Sequence, residues 1–207
     1  RSDRYQYIYP DFTITKLINT ESDLKGELSF TASGSQKNYD TNIYESVLVN
    51  DFEYNSIPFF LKNGITNNLK FLFKNVNTKG EKSSNYKDKL SSENFGAFSF
   101  NSSFPLKKSG KNTNSYFTPK ASFRFSPNKS SNQKDLDRRI DFNNIFSFNR
   151  LAVSDSVEGG QSLTIGSEYI LKKKNDDKIL SLNLATNFKD VNDSRLPTKS
   201  KLGNKSS

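Results

Sequence analysis

Chemistry at a protein site needs a nucleophile, a proton carrier or a set of metal ligands, and this sequence offers few of them. It contains no Cys and no His. Thiolate and imidazole metal sites, disulfides and the usual nucleophile–base pairs are therefore excluded within it. Acidic neighbours do occur: Asp176 with Asp177, Asp135 with Asp137, and Asp155 with Glu158. Each pair falls in a polar stretch that reads as a turn, where carboxylates cap backbone N–H groups. Turn capping is preferred to hydrolytic acid–base work. The hard oxygens of such loops suit Ca²⁺, but the spacing singles out no ligand set. There is no phosphate-binding glycine loop. The expectation is a protein with no catalytic residue, no metal and no cofactor, hence not an enzyme.

The arginines are more informative. Asp137-Arg138-Arg139 stands in a long polar loop. Guanidinium forks match phosphate geometry, so this triplet could touch a phosphorylated sugar. The preferred reading is a loop ion pair that fixes a lid. Asn149 and Arg150 end a predicted strand, and Glu158 sits in the following turn, so an Arg150–Glu158 pair would staple the two. Gly159 and Gly160 are expected to supply positive φ there.

The elements that must position these groups are short runs of alternating apolar and polar residues, the period of a half-buried strand. In residues 116–169 there are three. Phe117, Ala121, Phe123 and Phe125 oppose Lys120, Ser122, Arg124 and Ser126. Phe142, Phe146 and Phe148 share a face. Leu163, Ile165, Tyr169 and Leu171 oppose Ser162, Thr164, Gly166 and Glu168. Earlier in the chain Tyr5, Tyr7 and Tyr9 alternate, Phe12 and Ile14 continue on the other parity, and Pro10 marks a bulge or register change. A polar turn at 19–23 leads to Leu24, Gly26, Leu28, Phe30 and Ala32. A loop is expected over 35–41 and a strand over 43–54. Residues 55–68 read either as a loop with a tucked apolar cluster or as a short bent strand.

Strands follow over 69–74 and 96–106, separated by a long polar loop over 76–93. A polar turn is expected over 107–115. After the charged turn 172–178 comes a strand with Leu180, Leu182, Leu184 and Phe188, then a polar end over 189–207. The count is roughly nine strands at spacings of about twenty residues, wider than the ~8–12 of a sandwich. The reading is all-β, with antiparallel up-and-down strands forming part of a large transmembrane barrel.

Composition agrees. Only 32% of residues are hydrophobic, and Phe 18 and Tyr 9 supply much of that. Such content is thin for a soluble core but suits a wall with one greasy and one wet face. No run of ~18 apolar residues exists, so no helix is expected to cross a membrane, whereas a crossing strand needs only ~9–11 residues. The net charge of +9 comes from scattered lysines such as Lys107, Lys108, Lys111 and Lys172 to Lys174. They form no dense stripe, which favours solvated loops, then anionic headgroups, over nucleic acid.

Several pieces stand in a recognisable order. They are Thr118-Pro119-Lys120-x-Ser122-x-Arg124-x-Ser126-Pro127, the loop Asp137-Arg138-Arg139-Ile140-Asp141, Asn144-Ile145-Phe146-Ser147-x-Asn149-Arg150, and the stretch from Ser154 to Tyr169 with Ser154-Asp155-x-Val157-Glu158-Gly159-Gly160 and Gly166-x-Glu168-Tyr169. This order resembles the barrel domain of the LptD (OstA/Imp) lipopolysaccharide-assembly family, and weaker similarity extends along the chain. The resemblance implies that Thr118, Pro119, Lys120, Arg124, Pro127, Arg138, Arg139, Asn144, Phe146, Asn149, Arg150, Asp155, Glu158, Gly159, Gly160 and Gly166 are structural motif residues. It implies that residues 1–207 are an internal segment of an outer-membrane barrel, without the N-terminal jellyroll and the remaining strands. It further implies an LptE-like lipoprotein plug, an LptA-like periplasmic bridge acting through that jellyroll, contact with outer-membrane lipid, and insertion of lipopolysaccharide into the outer leaflet. Gate and slide residues of the family lie outside this segment. The competing expectations are another outer-membrane barrel, a porin or siderophore receptor, and a soluble β-rich adhesin.

Overall fold

The computed structural model describes residues 6–18, 25–39 and 42–206. Tyr5, Leu24 and the expected turn at 19–23 lie outside the described residues. The described chain forms a single antiparallel sheet: β1 (Gln6–Ile18), β2 (Gly26–Tyr39), β3 (Tyr44–Ser56), β4 (Phe59–Phe60), β5 (Thr66–Glu81), β6 (Ser91–Ser103), β7 (Leu106–Ser109), β8 (Thr113–Ser126), β9 (Gly160–Lys173) and β10 (Lys178–Lys189). The spatial order is β1-β2-β3-β5-β6-β8-β9-β10, with β4 beside β5 and β7 beside β8. Every neighbour is next in sequence or separated only by a short strand. No helix among the described residues is long and apolar enough to cross a membrane.

The register places the large side chains on one face. Phe30, Phe52 and Phe73 stand in one row, and Tyr54, Phe71, Phe98 and Phe125 in the next. Ring centroids of Phe30–Phe52 and Phe71–Phe98 lie 4.7 and 5.0 Å apart. Each such pair adds about 0.5–1.5 kcal/mol beyond area burial. Phe52, Phe71, Phe73, Phe123, Phe125, Leu163, Ile165 and Leu182 all remain exposed on this face. The opposite face carries Asp51, Lys74, Ser99, Ser122, Arg124 and Thr164, of which all but Asp51 are buried. We call these faces outer and inner.

The strands outrun the apolar band. On the outer side of β5, Leu69, Phe71 and Phe73 give way to Asn75, Asn77, Lys79 and Glu81. Seven of the strands hold thirteen to sixteen residues, which at ~3.3 Å each exceed what even a tilted strand needs to cross ~25–30 Å of hydrocarbon. This explains two departures from expectation. β2 continues to Tyr39 through the expected loop at 35–41, and β5 and β6 reduce the expected loop at 76–93 to residues 82–90. Beyond the band both faces are polar, so alternation disappears while the backbone ladder continues.

Other differences are local. Within residues 55–68 the short strand is β4 alone: Phe59 pairs with Asn67, Phe60 with Thr66. Phe60 is 73% exposed, so no cluster tucks inward. The strand expected over 96–106 breaks at Phe104 and Pro105, and most of the expected turn at 107–115 becomes the β7–β8 hairpin. Pro119 sits where β6 gives way to β7, and its carbonyl accepts from Phe104 N at 3.0 Å. The expected register change at Pro10 falls between Ile8 and Asp11.

The sheet does not close among the described residues: β1 and β10 each pair on one side only. A smaller edge is handled internally. β8 ends at Ser126, leaving the upper part of β6 without a strand beside it. There the Asn128 carboxamide replaces the missing strand. Its Oδ1 accepts from Gly96 N at 2.9 Å and its Nδ2 donates to Asn94 O at 2.9 Å. An orphaned buried backbone group costs roughly 1–3 kcal/mol. Asn128→Leu is therefore expected to lower stability by about 2 kcal/mol or more, measured as a lower urea midpoint of the membrane-reconstituted protein, while Asn132→Leu in the same loop leaves it unchanged.

Candidate functional site

Residues 127–159, between β8 and β9, do not project from the sheet. They fold back and pack against its inner face. The stretch 142–148, expected as a strand, is a series of turns. Its polar side chains capture the backbone first. Asp141 Oδ1 accepts from the N–H groups of Asn143 and Asn144 at 2.8 and 3.2 Å, and Asn144 Oδ1 accepts from Asp141 N at 2.9 Å. Such local bonds compete with a ladder. Asn149 brackets the next turn, accepting from Val153 N and donating to Val153 O. Arg150 thus stands on a turn and not at a strand end.

The three phenylalanines point inward, not toward the outer face. Phe142 and Phe146 meet edge to face at 5.6 Å, and Lys120 Nζ lies 5.2 Å from the Phe142 ring. Phe146 lies over Gly166, where an added Cβ would stand 2.9 Å from its ring. Phe148 joins Val157 on a patch of inner-face residues, Val49, Val76, Phe95 and Ala97. A second cluster joins Leu151 of the loop to Leu196 and Leu202 of the C-terminal stretch. That stretch is expected as a polar end without a clear strand, and beyond β10 its described residues add only a single Phe188–Ser206 bridge, but it caps the loop.

Between the two apolar clusters lies a buried ion network. Arg150 donates through Nε and Nη2 to both Glu158 oxygens at 2.9 and 2.8 Å. Its remaining donors reach Ser162 Oγ at 2.7 Å, Asn187 Oδ1 at 2.7 Å and Thr164 Oγ1 at 3.2 Å, all on the wall. Lys189 Nζ adds bonds to Glu158 Oε1 at 3.1 Å and to Gly159 O at 2.8 Å. Arg124 donates to Glu158 O at 2.6 Å and Phe148 O at 3.2 Å. The expected Arg150–Glu158 pair is therefore present, as a buried bond between loop and wall. Burial alone would raise the Glu158 pKa. The charges of Arg150 and Arg124, the Arg150 fork and Lys189 outweigh it and hold the group at about 2, against its ordinary 4.5.

The far side of the loop is tied to β3, β5 and the 82–90 connection. Lys74 Nζ bonds Asp51 Oδ2 at 2.7 Å and Ser154 O at 2.8 Å. Tyr86 donates to Asp155 Oδ2 at 2.9 Å. Burial, then the Asp155 and Glu45 carboxylates, push this phenol well above its usual range, so it stays a donor. Gly160 takes φ +79, as expected, but Gly159 is required for another reason: an added Cβ would collide with Asn128 O and stand 2.7 Å from Ser130 N.

The structure thus brings together Arg124, Asn149, Arg150, Asp155, Glu158, Gly159 and Gly160, with Lys120, Phe146 and Gly166 beside them. Lys120 pairs with Glu168 at 3.2 Å. Thr118 is half-buried on the inner face of β8, and Pro127 ends that strand outside. Arg138 and Arg139 are exposed and pair with no carboxylate among the described residues. The ion pair in their stretch is Asp137 with Lys199 at 3.1 Å, both exposed. Sequence reasoning missed Lys74, Tyr86, Ser162, Thr164, Asn187 and Lys189. Each occupies an ordinary polar position on a strand or loop, and only tertiary contact distinguishes it. No group of three or more metal-ligating side chains occurs among the described residues.

A family model described as LptD, LPS transport system D, matches residues 65–207, which span β5 to the C-terminal stretch and include the whole network. No curated protein matches the chain.

Removing one partner of a buried ion pair costs about 3–5 kcal/mol because the other is left uncompensated. Glu158→Gln and Arg150→Met are each expected to free the loop, read as faster hydrogen exchange over 145–160 with β9 and β10 unchanged. Because the folded Glu158 pKa is depressed, its contribution is complete above pH 4.5 and disappears as pH falls toward 2. Measured relative to the intrinsic rate at each pH, exchange over the loop should rise through that window in the parent protein and be flat there in Glu158→Gln.

Proposed function

The chain belongs to the LptD family of the lipopolysaccharide transport system, and from that premise we propose that it forms part of the wall and inner plug of the translocon that inserts lipopolysaccharide into the outer leaflet of the outer membrane. The coarse role, lipopolysaccharide transport, follows from the family. One observation carries the finer reading. A single antiparallel sheet presents a continuous aromatic band on one face and, on the other, charged and hydroxyl side chains under a folded loop. A soluble protein would bury that band. In hydrocarbon it is the favourable face.

The open edges point the same way. Unpaired N–H and C=O groups along β1 and β10 are costly in lipid, so the sheet is completed by further strands of the same barrel. On this reading residues 1–207 are a segment of that barrel, and the jellyroll domain, the lipoprotein plug and the periplasmic bridge act outside it. The segment does no covalent chemistry. Its inner groups meet the sugar portion of the substrate, and its outer groups meet lipid.

Single cysteines replacing Phe98, Phe100 and Phe123 are expected to react with a lipid-phase probe, and one replacing Thr118 with a water-phase maleimide. Ser99 and Ser122 are inward but covered, so they should react with water-phase reagent only when the loop is freed by Glu158→Gln. Water-phase labelling of the three phenylalanine positions would defeat the assignment.

A further inference from the structure

The outer face is not uniformly filled. Gly96 on β6 lies in the aromatic band, level with Phe73 of β5 and above Phe98. A Cβ added there would meet nothing within 4 Å. Around this gap Phe52, Phe71, Phe73, Phe98, Phe125 and Pro127 form an open groove of about 470 Å³ whose lining is almost wholly apolar. In a bilayer an open depression with so apolar a lining is filled by hydrocarbon.

The mouth of the groove has its own chemistry. Immediately above Phe73 and Gly96 the outer face carries Asn75 and Asn94, joined Nδ2 to Oδ1 at 2.9 Å. Asn50 and Asn77 donate to Asn75 Oδ1 at 3.3 and 2.6 Å, and Asn75 also reaches Ser92 Oγ at 3.2 Å. This is a ladder of neutral amides at the edge of the apolar band. The nearest outward cation along β5, Lys79, is paired with Glu81 at 3.1 Å.

From this geometry we propose that the groove over Gly96 is a specific site for one acyl chain of a membrane glycerophospholipid, with the asparagine ladder hydrogen-bonding its ester carbonyls. Neutral amide donors match uncharged esters. A phosphorylated disaccharide headgroup would call for arginine or lysine at the mouth, so lipid A is not the occupant. The missing side chain at Gly96 is what makes room: any larger residue would close the groove, and the strand would tolerate it because no atom is close. The proposal rests on the outward face being in lipid.

The test uses the intact protein in nanodiscs containing a phosphatidylethanolamine with a photoactivatable diazirine on its acyl chain, followed by peptide mapping of the label. Label is expected to be several-fold richer on peptides carrying Phe73, Phe98 and Phe125 than on the outward Leu182 and Leu184. Gly96→Leu should lower the first to the level of the second and leave the second unchanged. Asn94→Leu should weaken the first about as much. Equal labelling of both regions, persistence of the excess in Gly96→Leu, or its removal by a small excess of lipid A would overturn the site while leaving the lipid-facing wall intact. Absence of label from Leu182 and Leu184 as well would overturn both readings.

Discussion

The structure depends on one requirement: wherever the backbone runs through hydrocarbon, each N–H and C=O must find a partner within the protein. Neighbouring strands meet that need through the ladders from β1 to β10. Where a strand ends early, the Asn128 side chain supplies the missing donor and acceptor to β6. Pro119, which has no N–H to give, is placed where β6 hands over to β7. Gly96 combines the two demands. It lacks a side chain to fill the outer face, yet its N–H is still satisfied.

The inner face follows a different economy. Buried charges such as Arg124, Arg150, Glu158 and Lys189 would not stay dry by attraction alone, because desolvating an ion pair can cost as much as it returns. Here the Glu158 carboxylate is surrounded by Arg150 and Lys189, and the spare guanidinium protons reach Ser162, Thr164 and Asn187. The network contributes uniqueness of position more than raw stability. A loop held only by Val157, Phe148 and Leu151 could slide along an apolar patch. One held by a forked arginine to a particular carboxylate and three particular wall residues cannot.

The strands were legible because one face carries a continuous apolar band and the other is polar, which forces alternation at Phe98–Ser99–Phe100 or Leu163–Thr164–Ile165. Where both faces are polar, as in Gln36 to Tyr39 or Asn77 to Glu81, that signal vanishes and strands read as loops. The opposite error arose at Phe142, Phe146 and Phe148. Their spacing imitates a strand face, but Asp141, Asn144 and Asn149 fold the backbone into turns and send the rings inward. The Arg150–Glu158 pair was legible since opposite charges flank one predicted turn. Lys189 and Asn187, distant in sequence and ordinary in type, were not. The Asp137-Arg138-Arg139 triplet suggested a loop ion pair, and Asp137 does form one with Lys199, but both arginines stand in the open.

The loop's placement has a mechanical consequence for the wall. β8 and β9 pair from Thr113 to Ser126, but β6 and β8 pair only from Phe98 to Ser103. That seam is the shortest ladder between full-length strands among the described residues. The loop leaves the sheet at the seam and crosses it on the inner side. Lys74, Tyr86 and the Val49–Val76–Phe95 patch grip it on one flank, while Ser162, Thr164, Asn187 and Lys189 grip it on the other. A strap anchored on both sides resists opening of the strands beneath it, and it does so with side chains of the inner face. The same segment therefore narrows the interior and reinforces the place where the wall's own ladder is shortest.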